Sequence, residues 1–150
     1  MTELRFYHLT DQRIERVLPQ LLEVSLRRGW RVVVQTSLEE RIEYLDTHLW
    51  TYRDDSFLPH STMRQADATE QPIVLTIDES NPNRANVRFL IDDADIPEDV
   101  ESYERLVLIF DGMDDNAVQR ARARWTEAKS RGFTASYWQP DEGGRWSQKA

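Results

Sequence analysis

Two apolar runs with no polar interruption limit what this chain can build. Val32-Val33-Val34 is β-branched throughout, and Leu106-Val107-Leu108-Ile109-Phe110 is the most apolar stretch in the sequence. A strand with water on one face alternates apolar and polar residues, whereas a strand covered on both faces does not need to. Both runs therefore predict strands held between layers, with 106–110 as the central strand.

Helical patterns stand between such runs. Leu4 to Leu9 reads as a first strand. Asp11 is placed to cap a following helix whose face is Ile14, Val17, Leu18, Leu21, Leu22 and Ser25. Arg27 and Arg28 suit its C-terminal end, and Gly29 suits a left-handed cap. Pro19 is discordant, because it lacks an amide donor and crowds the preceding turn, so a kink or a start nearer Val17 is expected. After Val34, Ser37 and Glu40 have the spacing of a capping box. Leu38, Ile42, Leu45 and Leu49 then form one apolar stripe. Trp50 lies about 100° round the helix from Leu49, so that stripe does not bury it.

Residues 61–71 read as a polar surface connection. Ile73–Ile77 and Val87–Ile91 read as strands, separated by the turn chemistry of Asp78-Glu79-Ser80-Asn81-Pro82-Asn83. The acid-rich segment 92–99 reads as solvated loop. Asp114 and Asp115 open a last helix that Lys129, Arg131 and Gly132 close, and Phe133–Trp138 is the final strand. The alternation of strands and helices predicts an α/β fold, a three-layer α/β/α domain with a mainly parallel, Rossmann-like sheet. It would occupy residues 1–139, with 140–150 as a flexible C-terminal tail.

Composition narrows the functional classes. The 150 residues carry 27 acidic and 19 basic side chains, a net charge of -8, so direct DNA binding would need a local basic patch. There is no cysteine, hence no disulfide and no cysteine-ligated zinc. Neither a signal-peptide pattern nor a membrane-length apolar run is present, and a cytoplasmic protein is the expectation. A layered α/β domain invites a nucleotide-binding enzyme as an alternative. Yet the chain has no Gly-x-Gly-x-x-Gly or Gly-x-x-x-x-Gly-Lys, and the Asp111-Gly112 turn offers one glycine. His8, His48 and His60 form no metal-spaced pair. Asp92, Asp93 and Asp95 have the chemistry of a Mg²⁺ cluster or, more simply, of a solvated acidic turn. The expectation is no catalytic residue, no metal and no cofactor.

The last helix is locally basic. Between Val118 and Gly132, five cations (Arg120, Arg122, Arg124, Lys129 and Arg131) face a single Glu127. Val118, Ala121, Trp125 and Ala128 mark the face that packs on the sheet. Arg122 and Lys129 flank Trp125 at helical spacing. That arrangement suits an acidic peptide ending in an apolar residue and a carboxylate, and it equally describes a solvated arginine face over a buried tryptophan. Elsewhere, Phe57-Leu58-Pro59 puts three apolar residues in a loop, where soluble monomers do not usually expose them together.

The strand Arg31-Val32-Val33-Val34, the helix end Leu49-Trp50, and Asp55-Ser56-Phe57-Leu58-Pro59-His60 resemble the chi subunit of bacterial DNA polymerase III holoenzyme. Arg105–Trp138 and the opening Phe6-Tyr7-His8-Leu9 are similar to the same family. The resemblance implies a non-catalytic accessory subunit that tethers the clamp loader to single-stranded DNA-binding protein during DNA replication, with DNA reached only indirectly and no membrane partner. It implies that Arg122, Trp125 and Lys129 bind the acidic C-terminal tail of single-stranded DNA-binding protein. It further implies that Trp50, Phe57 and Pro59 dock the psi subunit of the clamp loader.

Overall fold

A computed structural model describes residues 2–51 and 58–150. The elements are β1 (Glu3–Leu9), α1 (Ile14–Arg27), β2 (Val32–Gln35), α2 (Glu39–Thr51), β3 (His60–Thr62), β4 (Ile73–Thr76) and β5 (Val87–Leu90). A 3-10 turn at Val100–Ser102 leads into β6 (Arg105–Asp111), α3 (Asp115–Ser130), β7 (Thr134–Pro140) and β8 (Trp146–Gln148). The strands form one eight-stranded sheet in the order β3-β4-β2-β5-β6-β1-β7-β8. Every neighbouring pair is parallel except β7–β8.

The apolar runs behave as two-faced strands. Val32, Val34, Val107 and Ile109 join Leu18, Leu22, Ile42, Leu45 and Leu49 in a core under α1 and α2. Val33, Leu106, Leu108 and Phe110 join Phe6, Ala117, Ala121 and Ala128 in a second core under α3. Alternate side chains of one strand thus feed opposite layers, as the pleat requires. The three-layer α/β fold is the one the pattern predicts, and β6 lies between β5 and β1 within the sheet.

Several local expectations are corrected. The first helix starts at Ile14 and continues through Pro19; its N-cap is Arg13, without a side-chain bond, so Asp11 is not the cap. Pro19 has no N–H for the carbonyl of Glu15, and His48 Nε2 on α2 takes that oxygen at 2.5 Å. Tertiary contact replaces the missing helix bond. Gly29 (φ +78°) ends α1, with Trp30 N donating to Ser25 O and Gly29 N to Leu26 O. Ser37 does not form the capping box. Its hydroxyl donates to the carbonyl of Asp92, while Thr36 Oγ1 accepts from Leu38 N at 3.3 Å. Leu38 therefore precedes the helix and is 44% exposed, and the buried stripe begins at Ile42.

Two strands were not foreseen. His60–Thr62, within and just before the expected surface connection, pairs with β4 as an outer strand. Residues 140–150, expected as a tail, include β8, which folds back on β7 through a turn at Gly144 (φ +80°). Trp146 packs edge-on to Tyr7, with ring centroids 4.7 Å apart.

Candidate functional site

The start of α3 is set locally. The Asp114 carboxylate accepts from Asn116 N at 3.0 Å and Ala117 N at 3.4 Å, satisfying two of the amides that a helix start leaves unpaired. Ala117, Ala121 and Ala128 are buried against the sheet, and their small side chains let the helix lie close. Half-buried Trp125 meets Phe6 edge-on at 5.4 Å and Tyr137 edge-on at 6.0 Å.

The basic residues of α3 divide into two flanks. Arg120 pairs with Asp93 at 2.7 Å, and Arg124 with Asp95 at 2.9 Å. The acidic segment after β5 is thus anchored rather than merely solvated. Asp92 in turn holds Arg41 at 3.1 Å and Thr36 at 2.6 Å, so each of the three aspartates already has a protein partner. On the other flank, Lys129 Nζ lies 5.0 Å from the centroid of Trp125, and exposed Arg122 stands one turn away. Among the described residues, neither Arg122 nor Lys129 has a carboxylate within ion-pair distance. The structure brings Arg122, Trp125 and Lys129 together on one side of one helix, as their spacing predicts.

That flank faces residues from three strands that sequence reading did not join to it. His8 of β1 is 2.5 Å from the Tyr137 hydroxyl of β7 through Nδ1, and Phe110 of β6 packs edge-on at 5.2 Å. Gly112 closes the cluster, because a Cβ there would lie 1.9 Å from His8 Nε2. Burial pushes the His8 pKa down, the charge of Arg122 adds to that, and Asp111 opposes it. Burial raises the Tyr137 phenol, against a hydrogen bond from Gln139 and the charge of Arg122. No local sequence pattern joins these positions; only the β6-β1-β7 order does.

The second predicted cluster lies at the far edge of the sheet. Trp50, 47% exposed, sits with its ring 4.2 Å from that of His60, the first residue of β3. His60 Nδ1 donates to Leu58 O at 2.6 Å, and its Nε2 lies 3.0 Å from both the carbonyl and the carboxylate of Asp46. Leu58 is buried and Pro59 half-buried, while Phe57 lies outside the described residues. Tyr44, 49% exposed, stacks parallel to His48 on the same helix.

The family model for the DNA polymerase III chi subunit, HolC, matches residues 1–136, which include α3 and both clusters. The chain belongs to the chi family. A probable DNA polymerase III subunit chi from Rickettsia prowazekii (strain Madrid E) is 26% identical over 121 residues, 77% of this chain and 73% of that relative. Chi is an accessory subunit of polymerase III, so the place where a layered α/β fold would hold a nucleotide has to be judged on its own residues.

That place is a cleft of about 580 Å³ where the C-terminal ends of β1 and β6 diverge toward helices on opposite faces. In this chi-family chain it is lined by Asp11, Glu15, Asp92, Asp93, Asp111 and Asp114 against one arginine, Arg13. A polyphosphate placed there would meet like charge from Asp11, Asp111 and Asp114, while Glu15, Asp92 and Asp93 are already ion-paired with Arg41 and Arg120. Among the described residues, no group of three or more His, Cys, Asp or Glu is arranged to hold a metal ion. No helix among them is long and apolar enough to cross a membrane.

Proposed function

We propose that this chi-family chain is a non-catalytic tether. The Arg122–Trp125–Lys129 flank binds the acidic C-terminal tail of single-stranded DNA-binding protein, and the Trp50–Pro59 surface, with Phe57, docks psi and so the clamp loader. The observation that carries the first half is the division of α3. Two of its arginines are neutralised by Asp93 and Asp95, while Arg122 and Lys129 stay open beside an aromatic plate. A carboxylate can pair with the open guanidinium while an apolar terminal residue covers the tryptophan. Holding both partners raises the local concentration of the polymerase machinery at coated template, with no chemical step of the chain's own.

The test is binding of a labelled acidic peptide ending Asp-Ile-Pro-Phe with a free carboxylate, at low and moderate salt. The expected result is salt-sensitive binding in the micromolar range, lost by about tenfold or more in Arg122→Ala, as for a charged hydrogen-bonded pair. A folded protein that ignores the peptide at low salt would remove this reading.

The cleft between β1 and β6 is the one feature that favours a nucleotide-binding enzyme instead, and its carboxylates count against it. A thermal-shift screen with nucleotides and Mg²⁺ separates the two readings, because a stabilising nucleotide would favour the enzyme.

A further inference from the structure

His8 is held more tightly than a solvent-facing histidine needs to be. Its Nδ1 is 2.5 Å from the Tyr137 hydroxyl, Phe110 and Tyr137 pack edge-on to the ring at 5.2 and 5.8 Å, and the Gly112 turn closes on the Nε2 side. The charged and titratable groups facing it are Arg122 from α3, Asp111 from the end of β6 and the Tyr137 phenol from β7. The imidazole is thus fixed in orientation and half-buried, within electrostatic reach of the Arg122 guanidinium.

The protonation state of His8 decides which way the Tyr137 hydroxyl donates. A neutral imidazole with its proton on Nε2 accepts the phenol O–H at Nδ1, and the hydroxyl points inward. An imidazolium donates from Nδ1 instead, the phenol oxygen becomes the acceptor, and its own hydrogen turns away from the ring. Burial and Arg122 hold His8 toward the neutral form in the empty site, with Asp111 acting the other way. A ligand carboxylate beside Arg122 offsets that repulsion and favours the charged ring.

We propose that His8 and Tyr137 belong to the peptide site, and that docking of a carboxylate at Arg122 is accompanied by proton uptake on His8, which turns the Tyr137 hydroxyl outward as an additional donor to the ligand. This rests on the tail-binding reading of α3 and specifies the chemistry of that same site. The proton comes from solvent, sits on the imidazole while the peptide is bound, and returns on release.

The experiment follows affinity for the same peptide in the full chain between pH 7.5 and 5.5, a range in which the peptide carboxylates stay ionised. In the wild type, affinity rises as pH falls, on the order of threefold for one added charge at a partly exposed site. In His8→Gln that rise disappears. Tyr137→Phe keeps the ring packing and weakens binding at the acidic end. Side-chain NMR gives a second readout: the His8 titration midpoint moves up when the peptide is added. Binding that is lost in Arg122→Ala but has the same pH dependence in wild type and His8→Gln overturns this proposal and leaves the tail site standing. No binding by wild type at any pH overturns both.

Discussion

Arg88 on β5 is the largest fully buried side chain, and it carries a charge into the layer beneath α3 without an ion-pair partner among the described residues. Its guanidinium instead donates to Gln35 Oε1 at 2.9 and 2.6 Å, to Ser80 O and the Tyr103 hydroxyl at 2.9 Å, and to Asp78 O. The planar fork reaches β2, the turn after β4 and the turn before β6 together, which an ammonium on a single stem cannot do. Arg88→Lys should cost about 2 kcal/mol and Arg88→Ala about 3 kcal/mol or more in urea unfolding, because buried acceptors lose their donor. Peptide binding at Arg122, on the opposite side of β6, should be unchanged in the lysine variant. Nothing in the sequence separates Arg88 from the arginines of α3; its burial comes from the strands on either side. The same holds at the proposed peptide site. Arg122, Trp125 and Lys129 were legible because one helix spaces them, whereas His8, Phe110 and Tyr137 come from three strands adjacent only in the folded sheet.

Among the elements, those specified by their own residues were read well, and those specified by neighbours were not. The Asp114 cap and the Gly29 stop depend on backbone groups a few residues away, and both are where the pattern places them. Ser37 was misread because the better acceptor for its hydroxyl is the carbonyl of Asp92, distant in sequence. Strands β3 and β8 are short and contain little apolar sequence, so only pairing reveals them. α1 allows a direct test of how a neighbour repairs a local fault. Pro19 frees the Glu15 carbonyl, and His48 occupies it. His48→Ala should therefore cost about 1–2 kcal/mol in the wild type. In a Pro19→Ala background the helix supplies its own donor, so the same change should cost measurably less. A double-mutant cycle by chemical denaturation would give the coupling, and an unchanged His48→Ala cost would refute the repair.

For the whole molecule, the two clusters occupy opposite faces and nearly opposite ends of the sheet. Trp50, near the end of α2, stacks on His60 of β3, while Arg122 lies on α3 within electrostatic reach of Tyr137 of β7. Six strand spacings of about 4.8 Å put them roughly 29 Å apart, several times the Debye length of about 8 Å at physiological salt. Charge at one site therefore has little direct effect on the other. Arg122→Ala should weaken the acidic peptide and spare psi, and Trp50→Ala should do the reverse, in pull-down or calorimetric titration of each partner. If either substitution damaged both contacts, the sites would not be independent. On the tethering proposal, raising salt from 50 to 300 mM should weaken the peptide contact more than the psi contact, because the first would pair exposed charges and the second would bury aromatic surface.

The outermost strands, His60–Thr62 and Trp146–Gln148, are three residues each, and the second turns antiparallel to the strand it covers. Free rims of a sheet are where extended chains attach and where identical molecules stack into aggregates, and short rims are a common defence. Here each end strand offers three residues for a passing strand to pair with. Partners are left with side chains to grip rather than backbone to extend. Molecules of this chain crowded together would stay separate rather than zip edge to edge.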